Sequence, residues 1–220
     1  MRVYFLALTA VSVLASFVLS DPAGANLISN GSFENPVLPT GVDYEYVSGG
    51  SSSITGWQTV HTGVERFDPA LNSAGTAQDG LLLLDLNTDF GIGGGIEQEI
   101  PTTVGATYLI SFYQGTWVNP GSASESRDGV AHITASAGDA SELFTYENQA
   151  PTIAWMAQSL SFTATGTTTL VSFTNFDNPL QNFSLLDNVS VTQTPIPEPN
   201  TALLLGIGLV GLGALGRRQQ

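Results

Sequence analysis

A chain of 220 residues with a formal charge of −14, five arginines and no lysine repels phosphate backbones and anionic headgroups, which excludes nucleic acid as a partner. With no cysteine and only His61 and His132 as histidines, disulfides are absent and a zinc site would be short of nitrogen and sulfur ligands. Neutral sugars, divalent cations and other proteins remain open as partners.

The first element in the chain reads as an export signal. Arg2 gives a positive start, Val3 to Leu19 form an apolar run, and Ala23-Gly24-Ala25 is a small-x-small site, the three parts of a secretory signal peptide. Residues 1–25 are expected to form a signal helix that signal peptidase removes, so that the mature protein begins at Asn26. The helix-breaking Asp21-Pro22 argues against an uncleaved membrane helix.

Residues 26–194 suit one domain, in which 17 acids outnumber two arginines, Arg66 and Arg127. Its segments are short and β-rich, with no convincing helix-period stretch. Asn26 to Phe33 is expected to start the first strand and Gly41 to Ser53 to be a Gly/Ser-rich loop. Ile54 to Val60 follows, with Trp57 in the core, then Val64 to Phe67 and a loop from Asp68 that closes at Asp79-Gly80. Leu81 to Leu86 is apolar almost without break, the pattern of a strand buried on both faces. In Ile96 to Ile100, Glu97 and Glu99 share one face. Paired carboxylates invite a glycosidase reading, but two acids on a solvated strand of so acidic a protein need no catalytic explanation, and no enzyme activity is expected.

Thr107 to Tyr113 alternates most clearly: Tyr108, Ile110 and Phe112 are expected in the core, with Tyr113 on the other face. After a loop from Trp117 to Gly129 come Val130 to Ala137, Glu142 to Glu147, Met156 to Ala164, Leu170 to Asn175 and Leu185 to Thr192, making about ten strands. This spacing belongs to an antiparallel sandwich or barrel, and the expected fold is an all-β, antiparallel jelly-roll β-sandwich. Trp117 and Tyr113 are candidates for stacking on a sugar, the alternative for Trp117 being to pack over the loop base. Alternation puts Asp187 on the face of Val189 and Val191, expected to turn inward. A carboxylate there costs several kcal/mol unless a cation or backbone amides compensate it.

Asn26-Leu27-Ile28-Ser29-Asn30-Gly31-Ser32-Phe33-Glu34, Ile54-Thr55-Gly56-Trp57, Asp79-Gly80 with Leu84-Asp85-Leu86-Asn87, Gly95-Ile96-Glu97-Gln98 with Gly105-Ala106-Thr107-Tyr108, and Leu186-Asp187-Asn188-Val189-Ser190-Val191 stand in an order that resembles the choice-of-anchor C family. That family is similar to galactose-binding-like folds, which include many carbohydrate-binding modules. In related modules an acid at the end of the first strand and an Asp in the last often share a structural calcium ion, which implies Glu34 and Asp187 as ligands here.

The chain then runs through Pro197-Glu198-Pro199 into an apolar segment from Ala202 to Gly216 and Arg217-Arg218. Fifteen residues make a helix of about 22 Å, marginal for a hydrocarbon core of about 30 Å. Glycines 206, 208, 211 and 213 suit lipid better than water, and the closing arginines stay cytoplasmic by the positive-inside rule. Residues 195–220 resemble the PEP-CTERM sorting signal of exopolysaccharide-producing Gram-negative bacteria, with a transmembrane helix over 202–216. The resemblance implies transient anchoring in the inner membrane. An exosortase would then cut near Pro197-Glu198-Pro199 and release or transfer the protein to the cell surface or extracellular matrix. The function expected is an exported protein whose sandwich associates with carbohydrate or exopolysaccharide. The alternatives are a structural or adhesive protein that contacts other proteins, and a secreted hydrolase.

Overall fold

The computed structural model describes residues 24–71, 73–88, 91–119, 127–178 and 183–195. The signal segment through Ala23, Pro197-Glu198-Pro199, the 202–216 segment and Arg217-Arg218 lie outside them. Among the described residues no helix is long and apolar enough to cross a membrane.

The alternation seen in the sequence resolves into two antiparallel sheets. One places β1 (Tyr44–Ser48), β3 (Gly63–Phe67), β4 (Leu83–Asp85), β13 (Leu185–Gln193), β6 (Thr107–Thr116) and β11 (Ala154–Thr163) side by side in that order. The other places β10 (Ala140–Glu147), β9 (Val130–Ala137), β12 (Thr168–Asn175), β5 (Gly94–Pro101) and β2 (Gln58–His61) likewise. A short ribbon pairs β7 (Val118–Asn119) with β8 (Arg127–Asp128). Setting aside β1, β2 and β3, the order β4-β13-β6-β11 lies opposite β5-β12-β9-β10, the four-on-four pairing of the expected jelly roll.

The core sits between the sheets. Tyr108, Ile110 and Phe112 of β6 are buried as the alternation requires, and Ile133, Ala135 and Ala137 of β9 and Val171 and Phe173 of β12 meet them. Trp57 is 2 % exposed and joins Phe33 and Phe173 at ring-centroid distances of 5.6 and 6.5 Å. Its indole nitrogen donates to the carbonyl of Asn30 at 2.9 Å, so the polar end of the ring is satisfied inside the core. Each fully buried Phe, Ile or Leu contributes about 1.5–3 kcal/mol of transfer free energy.

A second, smaller cluster lies on the outer side of the six-stranded sheet. Leu84 and Leu186 point into the main core, so their neighbours Leu83 and Leu185 point outward, where Phe67, Ala74 and Trp117 cover them. Residues 68–71 and 73–82 form the roof: Ile153 donates its amide to Ala74 O at 2.8 Å and Trp155 Nε1 donates to Thr76 O at 3.1 Å. This roof explains why β4 is buried on both faces.

Two expectations fail locally. Asn26 to Phe33 is not a regular strand, because Asn30 and Phe33 take φ of 53° and 60°, the left-handed region that interrupts an extended run. The segment touches β13 through Leu27 N–H to Val191 O and Val189 N–H to Gly31 O, each 2.9 Å. Conversely, β1 lies inside the expected Gly41 to Ser53 loop, because Val47 enters the core between flanking glycines. Next to it Arg66 is 1 % exposed. Its guanidinium meets Glu45 Oε2 at 2.7 Å and donates to the carbonyls of Phe33 and Pro36.

Candidate functional site

The expected metal pair, Glu34 and Asp187, is brought to one turn, but by a route that alternation conceals. Asp187 pairs with Tyr113 and Ser190 with Ser111, so Asn188 and Val189 stand opposite Phe112 alone. This is a β-bulge, with Asn188 at φ 49°. It returns Val189 and Val191 to the inner face while Asp187 stays on the outer face with Leu185. The expectation that Asp187 turns inward with the valines is thereby corrected, although the roof leaves it 0 % exposed.

Both carboxylates are occupied by backbone amides, four from the roof and one from β13. Asp187 Oδ2 accepts from Gln78 N at 2.8 Å and Asp79 N at 3.0 Å, and Oδ1 accepts from Asn188 N at 2.6 Å. Glu34 Oε1 accepts from Leu81 N at 2.9 Å and Leu82 N at 2.8 Å. Burial pushes the Asp187 carboxyl up to about 7, against the amides of Asp79, Asn188 and Gln78, while the Asp79 carboxylate adds to the rise. Calcium does not fit this donor set. The ion takes six to eight oxygens, whereas here backbone N–H groups point at both carboxylates.

Between the two grips Gly80 holds φ at 75°, and a Cβ there would come within 2.4 Å of Glu34 Oε1. Gly80→Ala is expected to lower the unfolding free energy by about 2 kcal/mol. The readout is the urea midpoint at unchanged slope; an unshifted midpoint would mean that the turn does not depend on this contact.

The two residues expected to stack on sugar are not brought together as an open platform. Trp117 is 7 % exposed, stacked on Phe183 at 3.6 Å and 7°, and tilted against Phe67 at 6.3 Å. Its ring is therefore spent on packing, the alternative reading of that residue. Tyr113 is half-buried on the outer side of the six-stranded sheet, in register with Asp187 and Ala157.

The outer face of the five-stranded sheet is different in kind. Gln58, Glu97, Ser172, Ser136 and Ser141 pair in turn from β2 to β10, forming one polar row across all five strands. At about 4.8 Å per strand the row spans roughly 19 Å. A cavity of about 480 Å³ opens at one end against Gln58, Glu97 and Glu99. A second, of about 280 Å³, opens against Ser136 and Ser172, and Leu170 lines both. Glu97 is half-buried and Glu99 exposed, as the solvated-face reading requires. Sequence reasoning singled out these two acids only. Gln58, Leu170, Ser172 and Ser136 join them through pairings between distant strands, which no local pattern signals.

The family profile described as "Protein of unknown function (DUF642)" matches residues 26–192, most of the chain. The chain belongs to the DUF642 family. Residues 195–219 match the PEP-CTERM protein-sorting motif, so the DUF642 domain is followed directly by an export-sorting signal. No curated protein matches the sequence. In structure the chain is similar to TmCBM61 in complex with β-1,4-galactotriose, with 13 % identity, a TM-score of 0.46, and coverage of 77 % of this chain and 99 % of that one. It is also similar to the CBM22-1 xylan-binding domain of Paenibacillus barcinonensis Xyn10C (14 %, 0.42, 80 % and 99 %). A family 16 carbohydrate-binding module compares in the same way (17 %, 0.42, 76 % and 99 %).

Proposed function

We propose that this exported DUF642 protein binds a neutral polysaccharide outside the cell, laid across the strands of the five-stranded sheet. The observation that carries the reading is the row from Gln58 through Glu97, Ser172 and Ser136 to Ser141. Hydroxyl, amide and carboxylate groups exchange hydrogen bonds with sugar hydroxyls, and Leu170, 47 % exposed, offers an apolar contact for C–H groups. Among the described residues no cation faces the row, which disfavours an anionic polymer. Glu97 and Glu99 stand two residues apart on one solvated strand face of a very acidic protein, a setting that needs no catalytic explanation, so the reading is a binding protein. The sorting motif supports an exosortase as processing partner, and in this reading the polymer bound is an exopolysaccharide outside the cell.

Affinity electrophoresis in gels carrying β-1,4-galactan, xylan, dextran or hydroxyethyl cellulose tests this reading. The parent is expected to be retarded in at least one gel, and Gln58→Ala with Glu97→Ala to weaken that retention about tenfold, as for loss of two hydrogen-bonding groups. Unretarded parent in every gel, or unchanged retention of the double variant, overturns the proposal.

A further inference from the structure

The same face carries an aromatic group that the polar row does not use. Two residues beyond the row that holds Thr174, Phe176 continues the outward side of β12 and remains 59 % exposed. The ring is seated rather than loose. A Cβ on Gly93 would meet its Cδ1 and Cε1 at 2.9 Å, so the ring lies directly on the glycine, and Gly93 takes φ 89° to bring the backbone there. The imidazole of His61 packs against it edge-on, with centroids 5.0 Å apart at 63°.

Polar groups stand on the same face at the neighbouring strand β9, whose pairing with β12 runs to Thr174 opposite Thr134. His132 lies on the outward side of β9, its Nδ1 2.7 Å from Asp177 Oδ2, and Asn175 Nδ2 donates to that same oxygen at 3.1 Å. Asn175 also donates to the carbonyl of His132, and its Oδ1 accepts the Asp177 amide at 2.7 Å. Asp177 is thus fixed by three hydrogen bonds to two residues, His132 and Asn175, and the histidine it holds keeps Nε2 outside that pair. Thr145 stands opposite His132 across the strand pair.

A flat ring backed by a glycine, on the same face as a fixed cluster of hydrogen-bonding groups, matches one ligand chemistry. We propose that Phe176 is the stacking platform of this face, receiving the apolar C–H side of one pyranose ring of a neutral glycan, with His132 and Asp177 orienting its hydroxyls. The inference rests on the polysaccharide reading above and adds the subsite where ring shape is recognised. From Ser172 to Phe176 the strand advances four residues, about 13 Å, so the platform lies beside the polar row, toward the loop end of the sheet, where a glycan crossing the face obliquely meets both.

The experiment repeats the electrophoresis in the same four polymers with Phe176→Ala, Phe176→Leu and Phe176→Trp in the full chain. The expected result is about tenfold weaker retention for the alanine and leucine variants, the loss of one ring contact, and parental or tighter retention for tryptophan. Leucine separates a flat ring from mere apolar bulk. If Phe176→Ala is retained like the parent while Gln58→Ala with Glu97→Ala is not, the platform is overturned and the polar row stands. If leucine serves as well as phenylalanine, stacking is overturned. A parent retained by none of the polymers overturns the polysaccharide reading and the platform with it.

Discussion

Urea unfolding is expected to give a midpoint that falls as pH rises from about 4 to about 7, and Asp187→Asn is expected to remove that fall. The unfolded carboxyl loses its proton near the ordinary value of 3.8, whereas in the folded protein burial holds it until about 7. Between these values the folded state binds the extra proton, so Asp187's contribution is complete below the lower value and lost as pH rises through the upper one. The interval corresponds to about 4 kcal/mol. Asparagine keeps the shape without the charge, so parent and variant should coincide near pH 4 and diverge in the variant's favour above pH 7. Parallel curves would sink the assignment. Because amides occupy both Asp187 and Glu34, exchanging calcium for a chelator is expected to leave the parent midpoint where it is.

Arg66→Met is expected to cost about 3 kcal/mol, seen as a lower urea midpoint at neutral pH. The guanidinium is buried at 1 % exposure and supplies the carbonyls of Phe33 and Pro36 with donors that no methionine can replace. Glu45→Gln should cost less, because the Glu45 side chain is 42 % exposed and water can take over its hydrogen bonds. Equal losses for the two variants would place the stabilisation in the ion pair rather than in the carbonyl contacts.

How much of this could be read from the chain depended on the range of the interaction. Strands such as β6 and β9 announce themselves because alternate residues face the core, and Trp57 declared itself core by sitting in an apolar alternating run. The buried cost of Asp187 was also visible, since few cations exist to offset it. Its compensation was not, because the amides of Gln78 and Asp79 arrive from more than a hundred residues away. Its outward direction depends on a one-residue bulge that leaves no compositional mark. Trp117 looked open because its stacking partner, Phe183, belongs to a different loop. The polar row and Phe176 are products of sheet register: Gln58 and Ser141 share a surface only once β2, β5, β12, β9 and β10 have paired.

The position of β13 bears on when the domain can fold. It is the last strand along the chain yet lies at the centre of its sheet, hydrogen-bonded to β4 on one side and β6 on the other. A chain emerging from its amino end therefore presents β4 and β6 with their facing edges bare until residues 185–193 arrive, the condition in which strands recruit wrong partners. Closure of that gap is a long-range pairing and correspondingly slow. The Pro197-Glu198-Pro199 element begins only four residues after Gln193, so the strand that closes the sheet is followed almost at once by the sorting motif.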